Sequence, residues 1–117
     1  MQRDGMKIAI PYDLNGWLVP LDMAVYIGIL DTDSKKFEEI ESLGFGSKEA
    51  TVQYIMRLGA DAVAVKKGFL CPGSYAMSQG VLKYMPVKAK TLDDAINELP
   101  RAEAKEELEY EMFEEND

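Results

Sequence analysis

One short run of apolar residues restricts the fold of this chain more than any other feature of the sequence. The run is Ala62-Val63-Ala64-Val65, and no polar residue interrupts it. A strand that is apolar on both faces is typical of a parallel sheet, because helices cover both faces of such a sheet. The segment before it, residues 47–59, has the apolar spacing of a helix, with Val52, Ile55 and Met56 on one side. Together the two segments predict a parallel sheet with right-handed crossovers.

The rest of the chain alternates between strand and helix patterns. Strand patterns cover residues 6–11, 24–30, 37–41 and 81–85, and helix patterns run from about Gly73 or Ser74 to Gln79, over 91–99 and over 101–115. The turn between the second and third strands implies antiparallel pairing at one side of the sheet. Ser47 and Thr91 are predicted helix N-caps, and Gly59 is a predicted helix end. This order predicts a three-layer α/β domain with a mixed, mostly parallel five-stranded sheet, which fits a ribonuclease-H-like architecture.

The amino-acid inventory removes several classes of function. None of the 117 residues is histidine, which excludes Ser-His-Asp and Cys-His catalysis and zinc sites built on histidine. The single cysteine cannot form a disulfide within the chain, so the reducing cytosol is the expected compartment. No apolar run approaches the roughly 20 residues of a membrane span, and the first five residues lack the apolar core of a signal peptide. We therefore expect a cytoplasmic protein without a membrane partner.

The acidic charge is concentrated at the C-terminus. Residues 98–117 contain nine acidic and two basic side chains, whereas residues 1–97 contain twelve and eleven. Such a tail repels phosphate backbones, so we expect no binding to nucleic acid. We assign residues 6–99 to an α/β domain and residues 100–117 to an acidic C-terminal helix or tail, in which Ala104, Leu108 and Met112 share one helical side.

Two loops are candidates for a functional site. In open α/β sheets, ligands bind outside the carboxyl ends of parallel strands. The loop at 12–16 follows the first predicted strand, and the loop at 66–74 follows the buried run. The candidate binding residues in these loops are Asp13, Asn15, Gly68, Cys71, Gly73 and Ser74.

Cys71 is the candidate metal ligand. Thiolates are the usual protein ligands of iron–sulfur clusters, and a cysteine beside a helix start has a lowered pKa. Lys66 and Lys67 could balance the charge of an anionic cluster. Two simpler interpretations stay open, because a lone cysteine is more often a small buried hydrophobic residue and a Pro-Gly-Ser sequence is also plain helix initiation. One thiol cannot hold a cluster alone, so a homodimer or ligands from outside the chain would be required.

A set of short motifs occurs in a definite order along residues 6–99. The motifs are MKIAIP at 6–11, YIGILD at 26–31, LGADAVAV at 58–65, Gly68, GVLKY at 80–84 and KTLDDAI at 90–96. This ordered set resembles the small cytosolic proteins related to dinitrogenase iron–molybdenum cofactor carriers and cofactor-biosynthesis proteins. The resemblance implies a ribonuclease-H-like α/β fold and the binding or transfer of an iron–sulfur or iron–molybdenum cluster without catalysis. Pro20-Leu21-Asp22-Met23 stands where that family commonly has His-Phe-Gly-Arg, so the usual histidine ligand is missing.

The leading hypothesis is therefore a non-enzymatic protein that binds or transfers a metal cluster, with the cluster or a cluster-donating protein as its partner. A second hypothesis is a protein-interaction module that has lost the cluster and docks a partner through its acidic C-terminal helix. A third is a metal-dependent phosphodiesterase with Asp13 among its metal ligands, since two-metal chemistry needs converging carboxylates.

Overall fold

A five-stranded mixed sheet forms the centre of the chain, and the computed structural model describes residues 5–113. The strands are β1 (Lys7–Tyr12), β2 (Tyr26–Asp31), β3 (Phe37–Glu41), β4 (Ala62–Val65) and β5 (Lys83–Pro86). The helices are α1 (Lys48–Arg57), α2 (Pro72–Ser78) and α3 (Leu92–Glu98), and 3-10 turns cover Leu21–Met23, Leu99–Arg101 and Tyr110–Met112. Within residues 5–113, no helix is both long enough and apolar enough to cross a bilayer.

The strand pairing confirms the predicted mixed sheet, but the prediction of a mostly parallel one is wrong, because two of the four strand pairs within residues 5–113 are antiparallel. The strand order is β3-β2-β1-β4-β5. β2 is antiparallel to both β1 and β3, whereas β4 is parallel to both β1 and β5. All four residues of β4 are completely buried, as the uninterrupted apolar run predicts. Burial of each valine side chain stabilises the fold by about 1.5 kcal/mol or more, so this short strand anchors the core.

Helices cover both faces of the sheet. Tyr84 of β5 contacts α2, because its hydroxyl lies 2.7 Å from Ser78 Oγ and its ring centroid lies 5.3 Å from that of Tyr75. The next residue, Met85, faces the opposite side of the sheet, where it lines a hollow together with Leu99. α1 packs against α2. Therefore α1 and α2 lie on one face of the sheet, and α3 lies on the other.

Local signals set the ends of α1 and α3 as predicted. Ser47 Oγ accepts a hydrogen bond from the N–H of Ala50 at 3.0 Å, and Thr91 Oγ1 accepts one from the N–H of Asp94 at 3.3 Å. Gly59 follows α1 with a φ of 83°, in the left-handed region that favours glycine. Each N-cap of this kind stabilises its helix by about 1 kcal/mol.

The predicted amphipathic helix over residues 101–115 is wrong for 101–113, and residues 114–115 lie outside the described residues. Lys105 instead forms an antiparallel bridge with Tyr84 at the edge of β5. The Lys105 N–H donates to the Tyr84 carbonyl at 2.7 Å, and the Tyr84 N–H donates to the Lys105 carbonyl at 2.8 Å. The backbone of Lys105 therefore bonds to the edge of β5 instead of to a helix. A helix here would also be destabilised by repulsion, because several of its glutamates are spaced four residues apart.

Residues 102–113 continue from this bridge onto α2, and we name them the C-terminal strap. The N–H of Leu108 donates to the Tyr75 hydroxyl at 3.1 Å, and the ring centroid of Phe113 lies 4.7 Å from that of Tyr75. Apolar side chains of the strap are partly buried against the core. The strap therefore covers part of the β5 edge and ties it to α2.

Several element boundaries differ from the prediction by one or two residues, including the start of β2 at Tyr26, and the cause is visible at the starts of α2 and β5. α2 begins at Pro72, ahead of the expected start, because Cys71 supplies its N-cap. β5 begins at Lys83, two residues later than expected, because the N–H groups of residues 81–82 both donate to the Ser78 carbonyl at 2.9 Å. At β5, residues 81–82 therefore form a turn although their side-chain pattern also fits a strand.

Candidate functional site

The two predicted site loops lie at the same edge of the sheet, which we name the carboxyl edge. β1 and β4 are neighbouring parallel strands, so the loops that follow Tyr12 and Val65 both leave from this edge. All three helices begin here as well, because each follows a strand that runs in the direction of β1. The partial positive charge of helix N-termini therefore collects at the carboxyl edge.

The Asp13 carboxylate is used within its own turn. Its Oδ1 accepts hydrogen bonds from the N–H groups of Asn15 and Trp17, both at 2.9 Å. The turn is joined to the start of α3, because the Leu92 N–H donates to the carbonyl of the turn's glycine at 2.8 Å. Asp13 and Asn15 therefore lie beside α3, and within residues 5–113 no hydrogen bond joins them to Cys71.

Cys71 caps the N-terminus of α2. Its Sγ accepts the N–H of Ser74 at 3.4 Å, and Ser74 Oγ accepts the N–H of Cys71 at 2.9 Å. This reciprocal pair is a capping box in which sulfur replaces the usual oxygen. Ser74 is completely buried, whereas Cys71 is only half-buried. Cys71 is therefore not a residue sealed in the hydrophobic core.

Hydrogen bonding outweighs burial in setting the pKa of Cys71. Partial burial raises the pKa of the thiol, because it penalises the charged thiolate. Hydrogen bonds from the Ser74 side chain and from the backbone N–H groups of Ser74 and Gly73 stabilise the thiolate and lower the pKa by more. The Glu49 carboxylate acts in the other direction through charge repulsion. The net pKa lies below that of an ordinary cysteine, which favours the thiolate that binds metals.

Glu49 is a site residue that the sequence analysis missed. It lies in the first turn of α1, and its carboxylate is so close to Gly73 that a Cβ on Gly73 would overlap with it. The carboxylate is the end of a flexible side chain, so the approach shows where the starts of α1 and α2 meet and does not by itself require a glycine. The sequence contains no local signal for the contact, because it depends on how the starts of α1 and α2 meet.

Asp22 is a second missed residue, in the 3-10 turn at the carboxyl edge. The Asp22 carbonyl accepts the N–H of Gly46 at 2.8 Å, and the N–H of Leu21 donates to the Phe69 carbonyl at 3.2 Å. The turn therefore joins the β3–α1 loop to the β4–α2 loop. Asp22 Oδ1 is buried without a hydrogen-bond partner within the described part of the chain. Such an acceptor costs about 1–3 kcal/mol, so a donor that reached it would be bound favourably.

The start of the β4–α2 loop is braced on two sides. Gly68 has a φ of 82°, which favours glycine, and its N–H donates to the Met112 carbonyl of the strap at 2.8 Å. The ammonium group of Lys66 donates to the carbonyls of Lys88 and Ala89 at 3.1 and 2.9 Å. Lys66 therefore holds the β5–α3 loop, which is a structural role that the sequence analysis did not assign to it.

Residues 5–113 contain no group of three or more cysteine, aspartate or glutamate side chains that could hold a metal ion. The carboxyl edge offers one half-buried thiol with a lowered pKa, which can supply one ligand to a metal cluster. A hollow of about 410 Å³ lies at the opposite edge, where Met6, Thr32 and Leu99 contribute to its wall. None of the predicted site residues lines that hollow.

No family model and no curated protein matches the sequence. Solved structures do match the fold. A Thermotoga protein of the DUF35 family, provisionally assigned as a NifB protein, is 20% identical over 86% of this chain and 92% of its own, with a TM-score of 0.65. A Methanocaldococcus jannaschii protein, provisionally assigned as a dinitrogenase, is 14% identical over 87% and 96%, with a TM-score of 0.66. The apo form of the orange protein from Desulfovibrio gigas is 15% identical over 89% and 95%, with a TM-score of 0.66.

The chain shares its fold with these proteins. At 14–20% identity the likeness establishes the architecture, and it does not transfer a ligand or an activity. The shared architecture extends over nearly all of each chain, so the α/β fold with a mixed five-stranded sheet is confirmed.

Proposed function

We propose that this chain binds a metal cluster of the iron–sulfur or iron–molybdenum type at its carboxyl edge and hands it on without catalysing a reaction. The observation that carries the proposal is the half-buried Cys71 thiol with its lowered pKa. The fold supports it, because the chain shares this fold with a provisionally assigned dinitrogenase and with the orange protein. We also interpret the sheet as ribonuclease-H-like, because β2 alone is antiparallel within the order β3-β2-β1-β4-β5.

In this proposal the cluster is cargo, and Cys71 supplies its protein thiolate. The N–H groups of Gly73 and Ser74 hydrogen-bond the sulfur and hold its negative charge while it binds iron. Because residues 5–113 offer no further group of metal ligands, the cargo brings its other ligands with it or a second copy of the chain supplies a second thiolate. A single protein ligand suits a carrier, since few bonds must break at transfer to an acceptor. Asp13, Asn15 and Gly68 border the same edge.

Anaerobic reconstitution with ferrous iron and sulfide tests the proposal. Cys71→Ser keeps the N-cap of α2 through its hydroxyl and weakens the iron ligand, because an oxygen binds cluster iron less well than a thiolate does. Cys71→Ala removes both. Met77→Ala is the matched control, because Met77 is another sulfur side chain of α2 and is 37% exposed. We expect visible absorption and bound iron in the wild type and in Met77→Ala, less of both in Cys71→Ser, and neither in Cys71→Ala.

The possible results separate the parts of the proposal. A wild-type chain that stays colourless and binds no iron refutes the cargo. Colour that persists in Cys71→Ala as well as in Cys71→Ser shows that the cargo binds elsewhere, and the assigned role of Cys71 is then wrong. Analytical ultracentrifugation of a reconstituted wild-type sample distinguishes one chain per cluster, with exogenous ligands, from two chains that each supply a thiolate.

A protein-interaction module without a cluster is the second candidate. It is favoured by the exposed carboxylates of the strap, which are Glu103, Glu106, Glu107, Glu109 and Glu111. A colourless wild-type protein that still captures a basic partner would select this candidate. The phosphodiesterase hypothesis gains no support, because Asp13 is hydrogen-bonded within its turn and the part of the chain from 5 to 113 offers no acidic cluster for metals.

A further inference from the structure

β3 is the terminal strand of the sheet, and hydrogen bonds just beyond its two ends show how it is oriented. The carbonyl of Lys36 accepts the N–H of Asp31 at 2.9 Å, and the N–H of Ser42 donates to the carbonyl of Val25 at 2.9 Å. In an antiparallel pair, alternate residues direct their N–H and C=O groups toward and away from the partner strand. The even-numbered residues of β3 therefore bond to β2.

Phe37, Glu39 and Glu41 are consequently the outward-facing residues of β3. Their backbone N–H and C=O groups have no hydrogen-bond partner within residues 5–113. Their side chains share one face of the sheet, and all three are exposed. An edge of this kind is a template for an added strand.

The side chains on this edge combine one aromatic ring with two carboxylates. Glu39 is fixed in place, because the Tyr12 hydroxyl donates to its Oε1 at 2.8 Å. Burial raises the pKa of Tyr12, and Glu39 raises it further, so the hydroxyl keeps its proton and remains a donor. Phe37 is 37% exposed, so part of its ring is open to a partner. The edge therefore presents an apolar position followed by two acidic positions, each two residues apart.

A second copy of this chain is a poor occupant of the edge. Antiparallel pairing of two β3 strands centred on Glu38, Glu39, Ile40 or Glu41 places a glutamate directly opposite a glutamate in every case. A pairing centred on Phe37 would need residues 33–36 as a strand, but they belong to the turn between β2 and β3, where Lys35 has a φ of 65°. Like charges in directly opposed positions destabilise a strand pair. The formal charge of −8 on each chain adds to this repulsion. Lysine or arginine at the opposed positions would instead be attracted.

We propose that the outer edge of β3 docks an extended basic segment of a partner protein by strand addition. The partner segment has basic residues opposite Glu39 and Glu41 and an apolar residue opposite Phe37. Its backbone completes the hydrogen bonds of the three outward-facing residues. Every second side chain of the segment contacts the face that carries Phe37, Glu39 and Glu41. The outer side of β3 reaches the carboxyl edge only at its Glu41 end, and none of the candidate cluster-binding residues lies in β3, so this docking does not depend on the proposed cluster binding.

A synthetic seven-residue peptide tests the docking. The peptide has lysine at its second and fourth positions, valine at its sixth and threonine elsewhere, so antiparallel pairing places the lysines opposite Glu41 and Glu39. We expect binding, measured by fluorescence anisotropy, and slower hydrogen exchange at the amides of Phe37, Glu39 and Glu41. Methylation of the amide nitrogen of the fourth peptide residue should abolish binding, whereas methylation at the third should not, because only the fourth faces β3.

Two charge-reversal variants of β3 provide the matched comparison. Glu41→Lys and Glu38→Lys change the net charge equally in the same strand, but Glu38 lies on the opposite face of the sheet. We expect Glu41→Lys to weaken peptide binding about tenfold and Glu38→Lys to weaken it about twofold or less. Equal losses in the two variants, or no dependence on the methylated position, would show that the peptide is attracted by net charge alone and would overturn the proposal.

Discussion

Replacing Cys71 separates the structural role of its sulfur from any role in binding. In Cys71→Ala the N–H of Ser74 loses its acceptor, and α2 loses its cap. Loss of an N-cap side chain costs about 0.5–2 kcal/mol. Sulfur is a weak acceptor, and the 3.4 Å distance from Sγ to the Ser74 nitrogen is long for a cap. We therefore expect the low half of that range, about 0.5–1 kcal/mol.

This free energy converts into a measurable change in melting temperature. Unfolding entropy is roughly 2.1 cal/mol/K per residue, so for 117 residues it is about 0.25 kcal/mol/K. Cys71→Ala should therefore lower Tm by about 2–4 °C. Cys71→Ser should unfold at or above the wild-type Tm, because a hydroxyl is the better cap.

Thermal unfolding followed by circular dichroism at neutral pH measures both variants. Urea unfolding supplies the free energies independently, and the slope against denaturant shows whether the unfolded states are comparable. A Cys71→Ala chain as stable as the wild type would refute the assignment of Cys71 as the cap of α2. A Cys71→Ser chain as unstable as Cys71→Ala would refute it equally, since it would show that the sulfur stabilises the fold by packing.

Four further outcomes follow from single residues. Tyr84→Phe deletes a buried hydroxyl that hydrogen-bonds to α2 and should lower the urea-unfolding free energy by about 1 kcal/mol, whereas Tyr110→Phe, at a ring that is 75% exposed, should leave it unchanged. Gly68→Ala places a side chain at a φ of 82° and should cost about 1–2 kcal/mol in the same assay. Because the pKa of Cys71 is lowered in the folded chain, its alkylation rate should reach half its maximum at a lower pH than for an unfolded control, and Ser74→Ala should move that midpoint upward. The lowered pKa also means that the Cys71 thiolate adds to the free energy of unfolding above the ordinary thiol pKa, and that this contribution is lost as pH falls through the folded pKa. The free energy of unfolding of the wild type, relative to that of Cys71→Ser, should therefore rise with pH. A difference that does not change with pH would contradict the reasoning.

The parts of the fold that could be predicted depend on local signals. The apolar run at 62–65 predicts a buried parallel strand, because only a strand covered on both faces tolerates four consecutive apolar residues. Ser47 and Thr91 predict helix starts, because a hydroxyl next to a helical pattern satisfies a free N–H group. Gly59 predicts a helix end through its conformational freedom. Each of these signals operates within a few residues, and the structure confirms each one.

The strap shows why the C-terminal prediction failed. Ala104, Leu108 and Met112 are spaced like a helical stripe, and all three are partly buried against the core. The same spacing is compatible with an irregular segment that touches the core at intervals. The bridge between Lys105 and Tyr84 connects positions 21 residues apart, and a local pattern contains no information about such pairing. Tertiary contacts therefore override helix propensity here.

The candidate site was predictable only as a set of loops. The position of Cys71 after the buried strand follows from the order of elements, and its role as a cap depends on the sulfur accepting an N–H three residues later. The closeness of Glu49 to Gly73 and the unpartnered oxygen of Asp22 depend on how separate loops pack together. These contacts come from the assembled fold, so periodicity and spacing do not contain them.

The two outer strands of the sheet, β3 and β5, differ in whether they can pair with a further strand. At β5 the strap already occupies the backbone of Tyr84 through Lys105, whereas at β3 the outward groups of three residues are open within the described chain. A partner strand therefore meets three free backbone positions at β3, whereas at β5 it would first have to displace the strap from Tyr84. Growth of a continuous ribbon needs strand addition on both sides, so the strap works against it.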